Sequence, residues 1–334
     1  MIRVDPRLIE RARLSLRSMI QDYLLSPEYS IGLIDFGFPR RTDSVTRKRY
    51  WDADSVSLRF HVTKKYTLDE LEALKLKVLP RRIGQFETDV IEAEYGVPLL
   101  AEAPSGPRTA PRTRLCGGLG ISAFADIYGT LGGVVRDRQN GAAMILSNWH
   151  VLYATRNARA GQPIHQPILR SSGPRTPIVA RAARERLSVP APGQLCLDVA
   201  VAELVDPRPE RWENLQLEVG RVTGVTGAQL GMQVVKSGLT SGKTFGVVTG
   251  IEGFNKMTYQ GNWLRLIERV VTISRYPLDR STALVSMPGD SGSWWLDAAT
   301  GQAVAVHYAG LRDGTRAQGM DMQAVLDALE VDLA

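Results

Sequence analysis

Three stretches hold the residues whose types could do chemistry together. Ser291 lies in PGDSGSWW, a Gly-rich turn. Gly289 lets the backbone turn so that its own amide and that of Ser291 point to one spot, and Gly292 leaves room beside the hydroxyl. His150 ends the apolar run AAMILSNWH, so it projects from a strand end toward a cleft. Asp198 stands in QLCLDVAVAEL, directly before an apolar run, where a carboxylate is costly without a partner. The chain has only 4 histidines, His61, His150, His165 and His307, so few bases are available to a serine. A hydroxyl nucleophile needs a base, the base an orienting carboxylate, and the developing oxyanion a pair of donors. Each piece alone also reads as structure: a hairpin turn, a half-buried histidine, a strand cap. In the order His, Asp, Ser, well separated along the chain, they read together as parts of one site.

The elements that must position these residues follow from periodicity. Residues 5–25 place Leu8, Ile9, Ala12, Leu16, Met19, Ile20 and Leu24 at helical spacing. IGLIDFGFPRR, SVSLRFHVTKK and ETDVIEAEYG read as strands, and TLDELEALKLK as a short helix with a capping box from Thr67 to Glu70. Residues 1–102 are thus expected to be a helix plus a small ββαβ module. APSGPRTAPRTR, residues 103–114, reads as a linker. Beyond it, short β-branched runs alternate with Gly and Pro turns, which predicts a mainly β domain over 115–334. GMDMQAVLDALEV predicts a C-terminal helix at about 319–330.

The 334 residues are 44% hydrophobic and 23% charged, with a net charge of +6. The basic residues are scattered among acids, which argues against a nucleic-acid stripe. Two cysteines, Cys116 and Cys196, are too few for a disulfide scaffold. The charged start is no signal peptide, and no apolar run reaches a membrane span. These features lead to the expectation of a soluble, cytoplasmic protein with free thiols, no cofactor and no metal.

LSNWHVL, LDVAVAEL and PGDSGS together resemble the histidine, aspartate and serine motifs of the chymotrypsin-like (trypsin-fold) serine peptidases. VVKSGLTSGKTFGVVTGI resembles the Ser-Gly-x-Thr-x-Gly hairpin of bacterial members. LSNWHVLYATRNARAGQPIHQP and KKYTLDELEALKLKVLPRRIGQFETDVIEAEYG are similar to an intracellular bacterial subgroup akin to the plant Narrow Leaf type proteins. The resemblance implies a chymotrypsin-like double antiparallel β-barrel, with six strands in each barrel: barrel 1 at about 115–206 and barrel 2 at about 215–315. It implies Ser291 as nucleophile, His150 as base, Asp198 as its orienter, and the Gly289 and Ser291 amides as oxyanion hole. Trp149 stands where a small or polar residue is expected, and packing in the first barrel would account for it.

Val285 stands where trypsin-like members carry a carboxylate, so cleavage after Arg or Lys is not implied. Residues 305–310, AVHYAG, ending at Gly310, are the expected edge on which an extended protein substrate adds as a strand. His307 either reads a Glu or Gln side chain there, with help from Ser286, or packs. Asp290 needs a partner, which is an internal group or an amino terminus freed by cutting after Arg108, Arg112 or Arg114. The internal group is the simpler reading. The N-terminal module is expected to regulate or recruit. Two alternatives stay open: a non-catalytic scaffold on this fold, and an enzyme that cuts only its own linker.

Overall fold

A computed structural model describes residues 4–96, 104–188, 193–276, 278 and 283–334. Two antiparallel β units dominate it. The first is an eight-stranded sheet. Its order runs Ile127–Thr130, Gly120–Phe124, Pro163–His165, Ile178–Glu185, Ala200–Leu204, Ala143–Ser147, Gly133–Asp137 and Val331–Leu333. The second is a closed barrel of six strands. Gln233–Gly238, Trp294–Asp297, Ala303–Leu311, Arg316–Asp321, Trp263–Arg275 and Gly242–Tyr259 pair in that order, and the last pairs back onto the first. Closure leaves no free edge along the paired lengths, the usual answer of a β protein to edge pairing.

The strands read as predicted because their inward positions are β-branched or aliphatic. Val134, Val135, Ile145, Leu146, Val201 and Ala202 fill the first unit, together with Trp149 and Trp294. The closing element differs in extent from expectation. The C-terminal helix is Met322–Leu329, capped by the Asp321 carboxylate on the Ala324 amide at 3.0 Å, and residues 316–321 before it are strand. After the helix the chain adds Val331–Leu333 to the first sheet against Val135–Asp137, a strand that the sequence pattern did not show. Seven strands from residues 120–204 and this added one give the first unit eight strands where six were expected.

The N-terminal region begins with the helix Pro6–Met19, capped by Asp5, which buries Ala12, Leu16 and Met19 of the predicted face. One turn of π-helix, Ile20–Leu24, ends it. The helix Leu68–Ala73 has the Thr67–Glu70 capping box. The region is not a self-contained module: only Arg40–Thr42 and Arg49–Trp51 form a sheet of their own. Ile31–Gly37 pairs antiparallel with the long strand Gly242–Tyr259, with Leu33 opposite Asn255 and Gly37 opposite Gly250. Ser57–Val62, Phe86–Glu92 and Arg82–Ile83 continue from it, so the second barrel and the N-terminal strands share one sheet. The physical reason is length: Gly242–Tyr259 outruns its partner Gln233–Gly238, and the exposed remainder needs pairing. The described part of the expected linker, 104–114, is also fastened. Arg108 donates to Ser237 Oγ at 2.7 Å and to Gly118 O at 3.1 Å, and pairs with Glu218. Cys116 and Cys196 are free and buried. No helix among the described residues is long and apolar enough to cross a membrane.

Candidate active site

His150 sits in a single helical turn, Trp149–Leu152, directly after the strand Ala143–Ser147. Its Nδ1 lies 2.6 Å from Asp198 Oδ2, and its backbone amide donates to Asp198 Oδ1 at 3.1 Å. Asn148 locks the same loop by donating to Asp198 O at 2.7 Å. Asp198 is fully buried, so the two His150 donors offset the cost of removing a carboxylate from water. With Nδ1–H donating to the carboxylate, Nε2 is left as the acceptor. It has no partner among the described residues.

A third donor reaches the Asp198 carboxylate from the other β unit. Tyr259 Oη donates to Asp198 Oδ2 at 2.8 Å. Tyr259 is buried, and burial together with the Asp198 charge raises its pKa well above the ordinary value, so it stays a donor. It ends the long strand of the hairpin Gly242–Tyr259 and Trp263–Arg275, whose tip rests on the His150 turn. Trp149 packs against Tyr259 and Trp263 with ring centroids 6.3 and 5.2 Å away, and Gln260 donates to Ala154 O at 2.8 Å. Trp149 thus meets the second unit as well as the core of the first. Neither Tyr259 nor Asn148 was identified from sequence. Asn148 sits inside the histidine motif LSNWHVL, but Tyr259 is brought in by a hairpin register that local patterning does not encode.

Ser291 lies across the same cleft, of about 540 Å³, lined by His150, Ser291, Gly289, Trp149, Tyr128 and Tyr259 among others. Its Oγ lies 3.5 Å from Tyr308 O, at the limit of a hydrogen bond, and is not within hydrogen-bond reach of His150 Nε2. Such bonds are often long or unmade without substrate. The turn itself is tightly held. Thr130 bonds two of its carbonyls, Gly289 O at 2.8 Å and Ser291 O at 2.7 Å, while Gly292 N–H donates to His307 O at 2.9 Å. The Gly289 and Ser291 amides make no hydrogen bond among the described residues. Gly289 has φ 93°, a left-handed conformation that strains any residue with a Cβ. At Gly292 a Cβ would stand 2.0 Å from Ser147 Oγ.

Asp290 has its partner inside the chain. Lys236 Nζ lies 2.7 Å from Asp290 Oδ2, and both side chains are fully buried. Ser241 Oγ and the amides of Thr240, Ser241 and Met287 complete the shell at 2.6–3.1 Å. Lys236 and these donors hold the Asp290 carboxyl below its usual range despite burial. Lys236 was not identified from sequence, although a lysine within the apolar run MQVVKSG is a signal that points to it.

The residues expected to set specificity do not line this cleft. Val285 and Ser286 are buried. Ser286 Oγ lies where a Cβ on Gly310 would come within 2.7 Å of it. His307 is buried edge-on to Trp295. Burial and the nearby Lys236 push its pKa down to about 3, so it is neutral, and its Nδ1 has no partner among the described residues.

The arrangement holds the parts for acyl transfer: a hydroxyl, an imidazole oriented by a buried carboxylate, and two unbonded amides on one turn. Neither a family model nor a curated protein matches the chain. Among solved structures it is similar to Nocardiopsis protease (NAPase), 20% identical, over 65% of this chain and 97% of that one, with a TM-score of 0.45. It is also similar to a glutamic acid specific serine protease described as using a histidine triad in substrate binding, 20% identical, over 66% and 100% of the two chains, at 0.48. A third is Thermobifida fusca Protease A, 21% identical, over 66% and 97%, at 0.44. On its own strand order, two antiparallel β units with His150 and Asp198 on the first and Ser291 on the second, the chain has the chymotrypsin-like fold.

Proposed function

We propose that the protein is a serine endopeptidase that cleaves an extended segment of a protein substrate through an acyl-enzyme. Ser291 Oγ attacks the carbonyl carbon and passes its proton to His150 Nε2. The Gly289 and Ser291 amides receive the developing oxyanion, and His150 returns the proton to the leaving amine. Water, activated by His150, then releases the acyl group. Asp198 keeps the imidazole in the tautomer this requires, and Tyr259 and Asn148 keep Asp198 in place. The observation that carries the reading is the fully buried Asp198, bonded at once to the His150 ring, the His150 amide and Tyr259.

The Lys236–Asp290 pair supports activity of the intact chain, because the turn that bears Ser291 is braced without a freed amino terminus. The test is digestion of casein by the full chain and by Ser291→Ala and His150→Ala. Peptidase activity lost in both variants supports the reading, and equal residual activity in all three contradicts it.

A preference for Glu or Gln before the scissile bond is favoured by one observation. The neutral His307, whose carbonyl accepts from the Gly292 amide next to Ser291, keeps an unpaired Nδ1. Peptide-library profiling checks it: cleavage after Glu or Gln supports it, and cleavage only after aromatic or aliphatic residues excludes it.

A further inference from the structure

The strand Ala303–Leu311 has two edges. Arg316–Asp321 covers one of them from Ala305 to Gly310. Trp294–Asp297 covers the other as far as Val306, and Ser293 O and the Gly292 amide bond His307 on the same edge. The uncovered stretch of that second edge begins beside the nucleophile turn, since Ser291 Oγ lies 3.5 Å from Tyr308 O. An open edge at such a place is where an extended peptide adds as one more strand.

Part of that edge is already taken by this chain. Tyr95–Gly96 pairs antiparallel with it, Gly96 opposite Gly310 and Tyr95 opposite Leu311. Gly310 is paired with Ala317 on its other side, so Gly96 occupies the edge left for a peptide. Because the pairing is antiparallel, the backbone at Gly96 is directed toward Tyr308 and therefore toward Ser291.

The Tyr95 side chain is anchored below the edge. Its hydroxyl lies 3.1 Å from His61 Nδ1, and His61 Nε2 lies 3.1 Å from Asp35 Oδ1. Asp35 is held in a bidentate pair by Arg59 and accepts from Thr272 Oγ1 of the barrel at 2.7 Å. Asp35, Arg59 and His61 are fully buried. Arg316, in the strand on the far edge, donates to Glu92 O at 3.1 Å. A buried charged group of this kind is stable only when its members are bonded, and the Tyr95 hydroxyl is one of the partners that His61 has.

We infer that Tyr95–Gly96 is an intrachain strap that fills the outer part of the peptide-pairing edge and competes with an extended protein substrate for it. The inference rests on the endopeptidase reading above and names its regulation. The N-terminal strands are then a brake: a small acyl donor reaches Ser291 freely, while an extended segment must first displace two residues of the chain itself.

The test uses two full-length variants. Tyr95→Phe removes the hydroxyl from His61. Gly96→Pro removes a strap N–H and keeps Tyr95 extended, and a Cβ at Gly96 meets nothing within 4 Å. Ser291-dependent hydrolysis of p-nitrophenyl acetate reads the reactive centre alone, and digestion of fluorescein-labelled casein reads the edge. The expected result is unchanged acetate hydrolysis with kcat/KM for casein raised about fivefold, mostly through KM, as when the strap blocks four-fifths of the molecules. Casein digestion that is unchanged, or that moves in step with acetate, overturns the strap. Casein binding to Ser291→Ala, with and without Gly96→Pro, reads the edge independently of the chemistry. Tighter binding with Gly96→Pro supports the strap, and equal binding overturns it. Loss of both acetate and casein hydrolysis in every chain would count against the endopeptidase reading alone.

Discussion

Asp198 is the residue on which the site turns. A buried carboxylate with one histidine partner would be short of donors, and Tyr259 supplies the missing one at 2.8 Å. Tyr259→Phe deletes that donor and leaves the ring packing with Trp149 and Trp263. A hydrogen bond to a charged group contributes about 1.5–3 kcal/mol, so kcat should fall about tenfold or more with KM little changed, as steady-state kinetics will show. Lys236 makes the same argument in the other direction. Lys236→Met leaves the Asp290 carboxylate buried and uncompensated, at a cost of about 3–5 kcal/mol. Thermal unfolding should show a large drop in Tm, partly recovered in the Lys236→Met, Asp290→Asn double variant. Equal Tm values for the single and double variants would mean that the pair is not coupled. Both Ser291 and Asp290 were legible as letters in GDSG; Lys236 was not identified, although a charge inside an apolar run points to it. Tyr259 was not legible, because its place depends on how far a hairpin extends and in which register.

At the scale of elements, periodicity located most strands and the capped helices, since each depends on near neighbours. It missed what depends on distant ones. The N-terminal strands look like a separate module in sequence because their alternation is self-contained, yet their pairing partner is Gly242–Tyr259, some two hundred residues on. The strand Val331–Leu333 was too short to announce itself. One consequence is cooperative. If one sheet spans the N-terminal strands and the second barrel, their amides should lose protection from hydrogen exchange in one step on denaturation. Early, independent exchange of residues 31–37 and 57–62 would show that the two parts open separately. Asp35→Ala, which strands the buried Arg59 guanidinium, should weaken both parts together, by about 3–5 kcal/mol in denaturant melts.

At the scale of the whole molecule, two buried histidines set a pH response. Burial lowers the pKa of His61 and pushes that of His307 down to about 3, so His307 is neutral when folded and His61 holds a proton less tightly than a free imidazole. The unfolded chain binds these protons near pH 6.5, and the folded chain only at lower pH. Between those values the unfolded state holds more protons, so stability falls as pH falls, by up to about 1.4 kcal/mol per pH unit for each histidine. Melts from pH 7 to pH 4 should show Tm decreasing, with a shallower slope in His307→Gln; an unchanged slope would remove His307 from the account.

The central claim is that the intact chain carries Ser291 on a turn already ordered for attack by the internal Lys236–Asp290 pair. Labelling with a fluorophosphonate probe tests it most directly, because the probe reacts at the nucleophile without needing the peptide-pairing edge. The full-length, uncleaved protein should label, and Ser291→Ala should not. Absence of Ser291-dependent labelling, or labelling that appears only after cutting near Leu115, would contradict the account.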